Sequence, residues 1–269
     1  RADEWATRRL GAEPSLRADL YRQTGMPIDG RYLAPMFAFH HGPEGPAPGR
    51  ADIRHILSAK DFLCFALTGR RVTDPSTASG YGLYAIADGR WDTKLGAFWG
   101  IDTSLLPEVE RPDAIAGGLN PAGARLLGLP EGIPVTVGAA DSVCGALAMA
   151  GLRDDTVSLV MGSRTIVIAA VPRLLLDRER RYLLTPHARS GWFAREMDIL
   201  STGSGFRWLC RLLGRTEEQV EALALSAPAG ANGISFSPYL AGGEQGALWD
   251  PSLRGVIHGL GLHQDGADV

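Results

Sequence analysis

The run Ile133-Pro134-Val135-Thr136-Val137-Gly138-Ala139-Ala140-Asp141-Ser142 decides how this chain is read. Its first half predicts a strand, Gly138-Ala139-Ala140 a tight turn of small residues, and Ser142 to Ala150 a helix. Ligands of open α/β sheets gather outside the carboxyl ends of strands, so an acid at this turn stands where chemistry is done. An Asp ahead of a helix is by default only an N-cap, accepting from the backbone. Here the small residues before it leave room for a ligand to approach the main chain, which makes Asp141 the first catalytic candidate.

Downstream, Thr156 to Val160 and Thr165 to Val171 predict two strands joined by Gly162-Ser163-Arg164. That turn combines backbone N–H groups, hydroxyls and a cation, the groups that hold phosphate oxygens, although many Gly-Ser turns hold nothing. A third candidate is Ser201-Thr202-Gly203-Ser204-Gly205 opening a helix to Leu213, whose N-terminus favours an anion. After a second helix, Glu217 to Leu225, and a strand at Ile234 to Pro238, a fourth candidate runs from Phe236 to Glu244 and on through Trp249-Asp250-Pro251 to Arg254-Gly255. Composition reads that last stretch equally well as a structural loop with Glu244 and Arg254 paired or solvated.

Upstream, helical patterns cover Asp3 to Leu10, Ser15 to Gln23, Ala51 to Leu67 and Pro121 to Leu127. Residues 42 to 49, rich in Gly and Pro, form a surface loop, and Arg71-Val72-Thr73 forms a short strand before a turn capped by Asp74. The order predicts an α/β fold with a boundary near residue 152.

The 269 residues carry 27 basic and 30 acidic side chains mixed along the chain, a net charge of -3, so no face for nucleic acid is predicted. No apolar run approaches a membrane span. Cys64, Cys144 and Cys210 lie far apart in apolar stretches, which predicts buried thiols in a reducing, cytoplasmic compartment.

Taken in order, several segments resemble the FGGY family of carbohydrate kinases. Lys60-Asp61-Phe62 to Thr68-Gly69, Val72-Thr73-Asp74, Thr77-Ala78-Ser79-Gly80, Trp91-Asp92, Leu106-Pro107 and the run from Gly132 to Asp141 are similar to the later part of the family's N-terminal domain. Gly162-Ser163, Gly203 to Leu209, Pro238-Tyr239-Leu240 with Gly243-Glu244, and Trp249-Asp250-Pro251 to Arg254-Gly255 are similar to the early part of its C-terminal domain. The resemblance implies parts of two actin-like, ribonuclease H-like domains flanking a cleft, residues 1–152 belonging to the first and 153–269 to the second.

It further implies phosphoryl transfer from ATP, with Mg²⁺, to a sugar hydroxyl, in the manner of xylulokinase-like and gluconokinase-like members. Asp141 matches the family's general base and Ser142 a sugar contact; Gly162, Ser163 and Arg164 match a phosphate hairpin, and Gly203 and Arg207 a segment lining the nucleotide. Arg164 replaces a small hydroxyl at that hairpin. The family's first phosphate loop has no counterpart here, so the chain is expected to be a central portion, inactive alone and prone to homo-oligomerise. The competing readings are a non-catalytic sugar- or nucleotide-binding relative and an actin-like assembly protein.

Overall fold

A computed structural model describes residues 2–11, 14–42, 45–46, 53–153, 155–241, 248–250 and 252–269. The chain divides into two compact units, Arg1–Val157 with Ile168–Glu196, and Ser158–Val167 with Met197–Val269. This division by compactness places 168–196 with the first unit and so differs from a single cut after 152.

The first unit begins with α1 (Ala2–Gly11), α2 (Pro14–Thr24) and α3 (Leu33–His41). Their inward residues Leu10, Leu20 and Ala38 join Tyr81, Leu83 and Trp99 in one core cluster. Leu10, Leu20 and Leu83 are at most 1% exposed, and each such side chain contributes roughly 1.5–3 kcal/mol by leaving water. α4 spans Ala59–Thr68, shorter than the helix expected from Ala51. Ser58 stops it from starting earlier: its side chain accepts the N–H of Asp61 and caps the helix. Ile53 and Ile56, which mimic a helical period in sequence, instead pack on the core from non-helical backbone. Gly69, at φ 78°, ends α4 in the left-handed conformation and returns its N–H to Phe65.

Next come β1 (Val72–Thr73), α5 (Pro75–Ser79), β2 (Tyr84–Ala85), β3 (Arg90–Trp91) and α6 (Thr93–Trp99). Asp74 caps α5 by accepting from the N–H groups of Ser76 and Thr77, and Asp92 caps α6 in the same manner. They are followed by β4 (Glu108–Val109), β5 (Ile115–Gly118), α7 (Pro121–Leu127), β6 (Pro134–Thr136) and α8 (Asp141–Ala150). β1 pairs with β4 in parallel; β2 with β3 and β5 with β6 are antiparallel. Four further strands follow, β7 (Val157–Met161), β8 (Thr165–Val171), β9 (Leu183–Pro186) and β10 (Phe193–Ile199), of which β9 and β10 pair antiparallel within the first unit.

The second unit holds the hairpin tip between β7 and β8, then α9 (Gly203–Leu213), α10 (Glu217–Ser226), β11 (Ser235–Ser237) and β12 (Val256–His258). α10 opens with a capping box in which Thr216 and Gln219 exchange hydrogen bonds. The fourth sequence candidate is only partly visible: residues 242–247, with Gly243 and Glu244, and Pro251 lie outside the described residues. Among those described, Cys64 and Cys210 are buried thiols as expected, but Cys144 is exposed on α8 because its position in the helix faces away from buried Val143 and Ala146. No helix of the described residues is long and apolar enough to cross a membrane.

Candidate active site

Asp141 is the first residue of α8, and the position before it, Ala140, is the N-cap, with extended backbone and no side-chain capping bond. The default reading of Asp141 as a cap therefore fails on geometry. Its carboxylate is exposed and accepts the N–H of its neighbour Ser142 at 2.8 Å. Ser142 is half-buried beside it.

The backbone leading to Asp141 is fixed from below. Val137 and Gly138 donate to the carbonyls of Ala114 and Pro112 at 3.0 and 2.9 Å. Lys60 Nζ on α4 donates to Val137 O at 3.1 Å, and the N–H of Ala140 donates to Ser76 Oγ on α5 at 2.9 Å. Two side chains from different helices thus grip the main chain on either side of the Gly138-Ala139 turn.

Both grips are anchored on buried carboxylates. Lys60 Nζ lies 3.2 Å from Asp61 Oδ1 and 3.2 Å from Asp74 Oδ1, and both acids are 0% exposed. Ser76 Oγ donates to Asp74 Oδ2, which also accepts the Ser76 N–H at 2.8 Å. Asp61 Oδ2 accepts from Tyr81 Oη at 2.6 Å and Ser58 Oγ at 2.8 Å. Burial, followed by the adjacent Asp61 charge, drives the Tyr81 hydroxyl far above the ordinary phenol range. Burial and the charge of Asp74 likewise push Tyr84 up to about 12. From sequence, Lys60-Asp61 enters only through the resemblance and Asp74 as the cap of a turn.

In the second unit, two segments predicted separately come together. Gly203 and Ser204, the first residues of α9, donate their N–H groups to the carbonyls of Gly162 and Ser163, each at 3.1 Å. Ser204 Oγ adds a bond to Ser163 O at 3.0 Å, and Thr165 Oγ1 donates to Thr202 Oγ1 at 2.9 Å. The guanidinium of Arg207 donates to Ser163 Oγ at 3.0 Å. The N–H groups that the sequence offered to an anion at this helix N-terminus are thus given to the hairpin. Gly203 is small because of the same contact: a Cβ there would lie 2.4 Å from Gly162 O. What faces outward is the tip itself, with Gly162, Ser163, Arg164 and Arg207 all exposed. It can present two guanidinium groups to an anion.

Behind this helix start, a cavity of about 260 Å³ in the same unit is lined by Thr202, Gly205, Trp208, Leu209, Phe236 and neighbouring residues. Trp208 and Phe236 stack at 6.5 Å between ring centroids, with planes 7° apart. A Cβ added at Gly205 would meet Leu240 Cδ1 at 3.5 Å, an ordinary contact distance. Ser201 Oγ donates to Pro238 O at 2.5 Å, tying the start of the fourth candidate segment to this region. Among the described residues no group of three or more His, Cys, Asp and Glu side chains could hold a metal ion.

Residues 19–148, which include Asp141 and both helices that grip its turn, match the FGGY family of carbohydrate kinases, N-terminal domain. The xylulose kinase of Staphylococcus xylosus is 29% identical over 220 residues, covering 81% of this chain and 45% of that protein. The crystal structure of xylulose kinase from Rhodospirillum rubrum aligns with a TM-score of 0.83 and 27% identity over 98% of this chain and 54% of its own. The ligand-bound xylulose kinase from Lactobacillus acidophilus aligns at TM-score 0.88 and 23% identity over 99% of this chain and 54% of its own, which shows the shared fold. This chain spans less than half the length of the curated relative. The actin-like, ribonuclease H-like fold and the order of its segments agree with the match of residues 19–148 to the FGGY family of carbohydrate kinases, N-terminal domain, the family this chain is similar to.

Proposed function

We propose that this chain supplies the general base and one phosphate-facing hairpin of an ATP-dependent sugar kinase. In this reading residues 1–152 form the later part of the family's N-terminal domain and 153–269 the early part of its C-terminal domain. The observation that carries it is Asp141: an exposed carboxylate on the first turn of α8, one residue past the N-cap and bonded to the Ser142 N–H, inside the segment that matches the family. Such a group is free to meet a substrate hydroxyl. It accepts the hydroxyl proton as the sugar oxygen forms its bond to phosphorus and the bond from phosphorus to the leaving diphosphate breaks. Ser142 donates to or accepts from a neighbouring sugar hydroxyl, and fixes the acceptor against the carboxylate.

The hairpin tip suits a polyphosphate. Ser163 is held by Arg207, and Arg164 stands exposed beside it, so the two cations neutralise oxygens of a bound nucleotide. Mg²⁺ would be held mainly through the phosphates of the bound nucleotide. Bound MgATP supplies the transferable phosphoryl group and spreads its charge over the metal. The xylulose kinase relatives make a ketopentose the first acceptor to try. Arg164 also favours a second reading, a sugar- or nucleotide-binding relative without catalysis, since a bulky cation occupies the place of a small hydroxyl.

The test is Asp141→Asn in the full-length protein, assayed by ADP release with pentuloses, polyols and aldonates. Turnover is expected to fall about 10²- to 10⁴-fold with nucleotide affinity little changed. An Asn variant that turns over normally removes Asp141 from the chemistry, and a wild-type protein that binds nucleotide but phosphorylates none of these acceptors favours the second reading.

A further inference from the structure

We infer that Lys60 and Ser76 are positioning residues for Asp141, acting through the backbone of the turn that carries it; this rests on the reading of Asp141 as the base. Besides the backbone bonds of Val137 and Gly138 to Ala114 and Pro112, the turn is held through side chains. Gly138 takes φ 76°, a conformation from which a glycine relaxes readily, and Ala139 and Ala140 bring no side-chain bonds. α8 has no side-chain cap to fix its first turn. The bonds from Lys60 Nζ to Val137 O and from the Ala140 N–H to Ser76 Oγ are the side-chain attachments on the two sides of the turn among the described residues.

The attachments are built to be rigid. Asp61 and Asp74 have no exposed surface, and Lys60 reaches both, so its ammonium is located by two fixed charges before it meets Val137. Ser76 is oriented because its hydroxyl proton is committed to Asp74, which leaves an oxygen lone pair for the Ala140 N–H. A network that merely stabilised the two helices would have no need to spend a lysine bond and a serine lone pair on main-chain atoms 77 and 64 residues away. The Lys60 ammonium is taken up by Asp61, Asp74 and Val137 O, so Asp141 is placed through the main chain rather than by an ion pair. Phosphoryl transfer depends on such placement, since a displacement near 1 Å at a reacting group costs up to about 100-fold in rate.

Ser76→Ala removes the acceptor for Ala140 while leaving Lys60 between its two acids. In the full-length protein, kcat for the best acceptor is expected to fall about 10-fold, with KM for sugar and nucleotide and the melting temperature close to wild type. Amide hydrogen exchange across residues 139–142 should accelerate in the same variant, and this second readout needs no catalysis. Unchanged exchange overturns the positioning role, as does faster exchange with undiminished kcat. Lys60→Met, measured in parallel, is expected to lower kcat at least as far; stripping the cation from two buried acids can unfold the protein, which is why Ser76→Ala carries the decision. The two readings fail separately: full activity in Asp141→Asn defeats the base, whereas quiet exchange in Ser76→Ala defeats the positioning.

Discussion

Replacing Gly203 by alanine probes the contact that joins the hairpin tip to α9. The added Cβ would stand 2.4 Å from Gly162 O, 3.1 Å from its carbonyl carbon and 3.5 Å from Ser163 Cα. An unstrained carbon-to-carbonyl contact needs about 3.3 Å, so the tip must retreat by roughly 0.9 Å. That retreat stretches the bonds from Gly203 N and Ser204 N, both now 3.1 Å, beyond useful length. Two weakened bonds at about 0.5–1.5 kcal/mol each, with overpacking of about 1–3 kcal/mol, outweigh a helix-propensity gain of at most about 1 kcal/mol. The net loss is about 1–5 kcal/mol. Gly205→Ala is the control two positions on, because its Cβ would meet only Leu240 Cδ1, at 3.5 Å. Urea denaturation followed by tryptophan fluorescence should show Gly203→Ala well below wild type and Gly205→Ala at or above it. Equal stability of the two variants would refute the argument that backbone contact, not nucleotide approach, demands the glycine.

Arg207→Met should loosen Ser163 and weaken ATP binding several-fold, with a shallower salt dependence than wild type; identical titrations at low and high salt would leave Arg207 a surface cation. Thr216→Ala removes the box that starts α10 and should cost about 1 kcal/mol in denaturant melts, a neutral result contradicting the capping geometry. The side-chain hydrogen bonds of Arg181 hold Asp177 at about 2 against an ordinary 3.8. A depressed carboxyl stabilises the fold above its unfolded value and loses that contribution as pH falls through the folded one. The stability gap between wild type and Arg181→Met should therefore narrow from about pH 5 and close by about pH 1, and a gap that persists at about pH 1 means the pair does not couple to folding.

Elements with their own punctuation were legible in the sequence. Pro121 to Leu127 was read to the residue, because Asn120 caps it, proline opens it and Gly128 closes it. The hairpin around Gly162 and the helix from Glu217 were read within a residue or two for the same reason. α3 was missed, since Leu33–His41 is apolar almost throughout and shows no polar face. β9 and β10 were missed because β10 reads Phe-Ala-Arg-Glu-Met-Asp-Ile, too polar for a strand until Glu196 is seen buried and bonded to Thr185 across the pair at 2.5 Å.

The candidate site divides along the same physical line. Asp141 could be picked out because a base must be exposed at a strand end next to small residues, and those are local properties of a ten-residue run. What places it could not be picked out, for a reason inherent in the task. Charges close enough to hold the carboxylate directly would also pair with it and blunt it as a proton acceptor. Position has to be imposed through the main chain instead, by polar side chains buried away from the acid and brought there by the fold. Lys60, Asp61, Asp74 and Ser76 meet that requirement across separations of 64 to 77 residues, and nothing in their immediate neighbours announces it. In sequence they look like ordinary helix-start residues, which Asp74 in fact also is. A base kept free and a scaffold kept hidden are therefore two consequences of the same electrostatic constraint, and the Ser76→Ala exchange measurement tests the second without assuming the first.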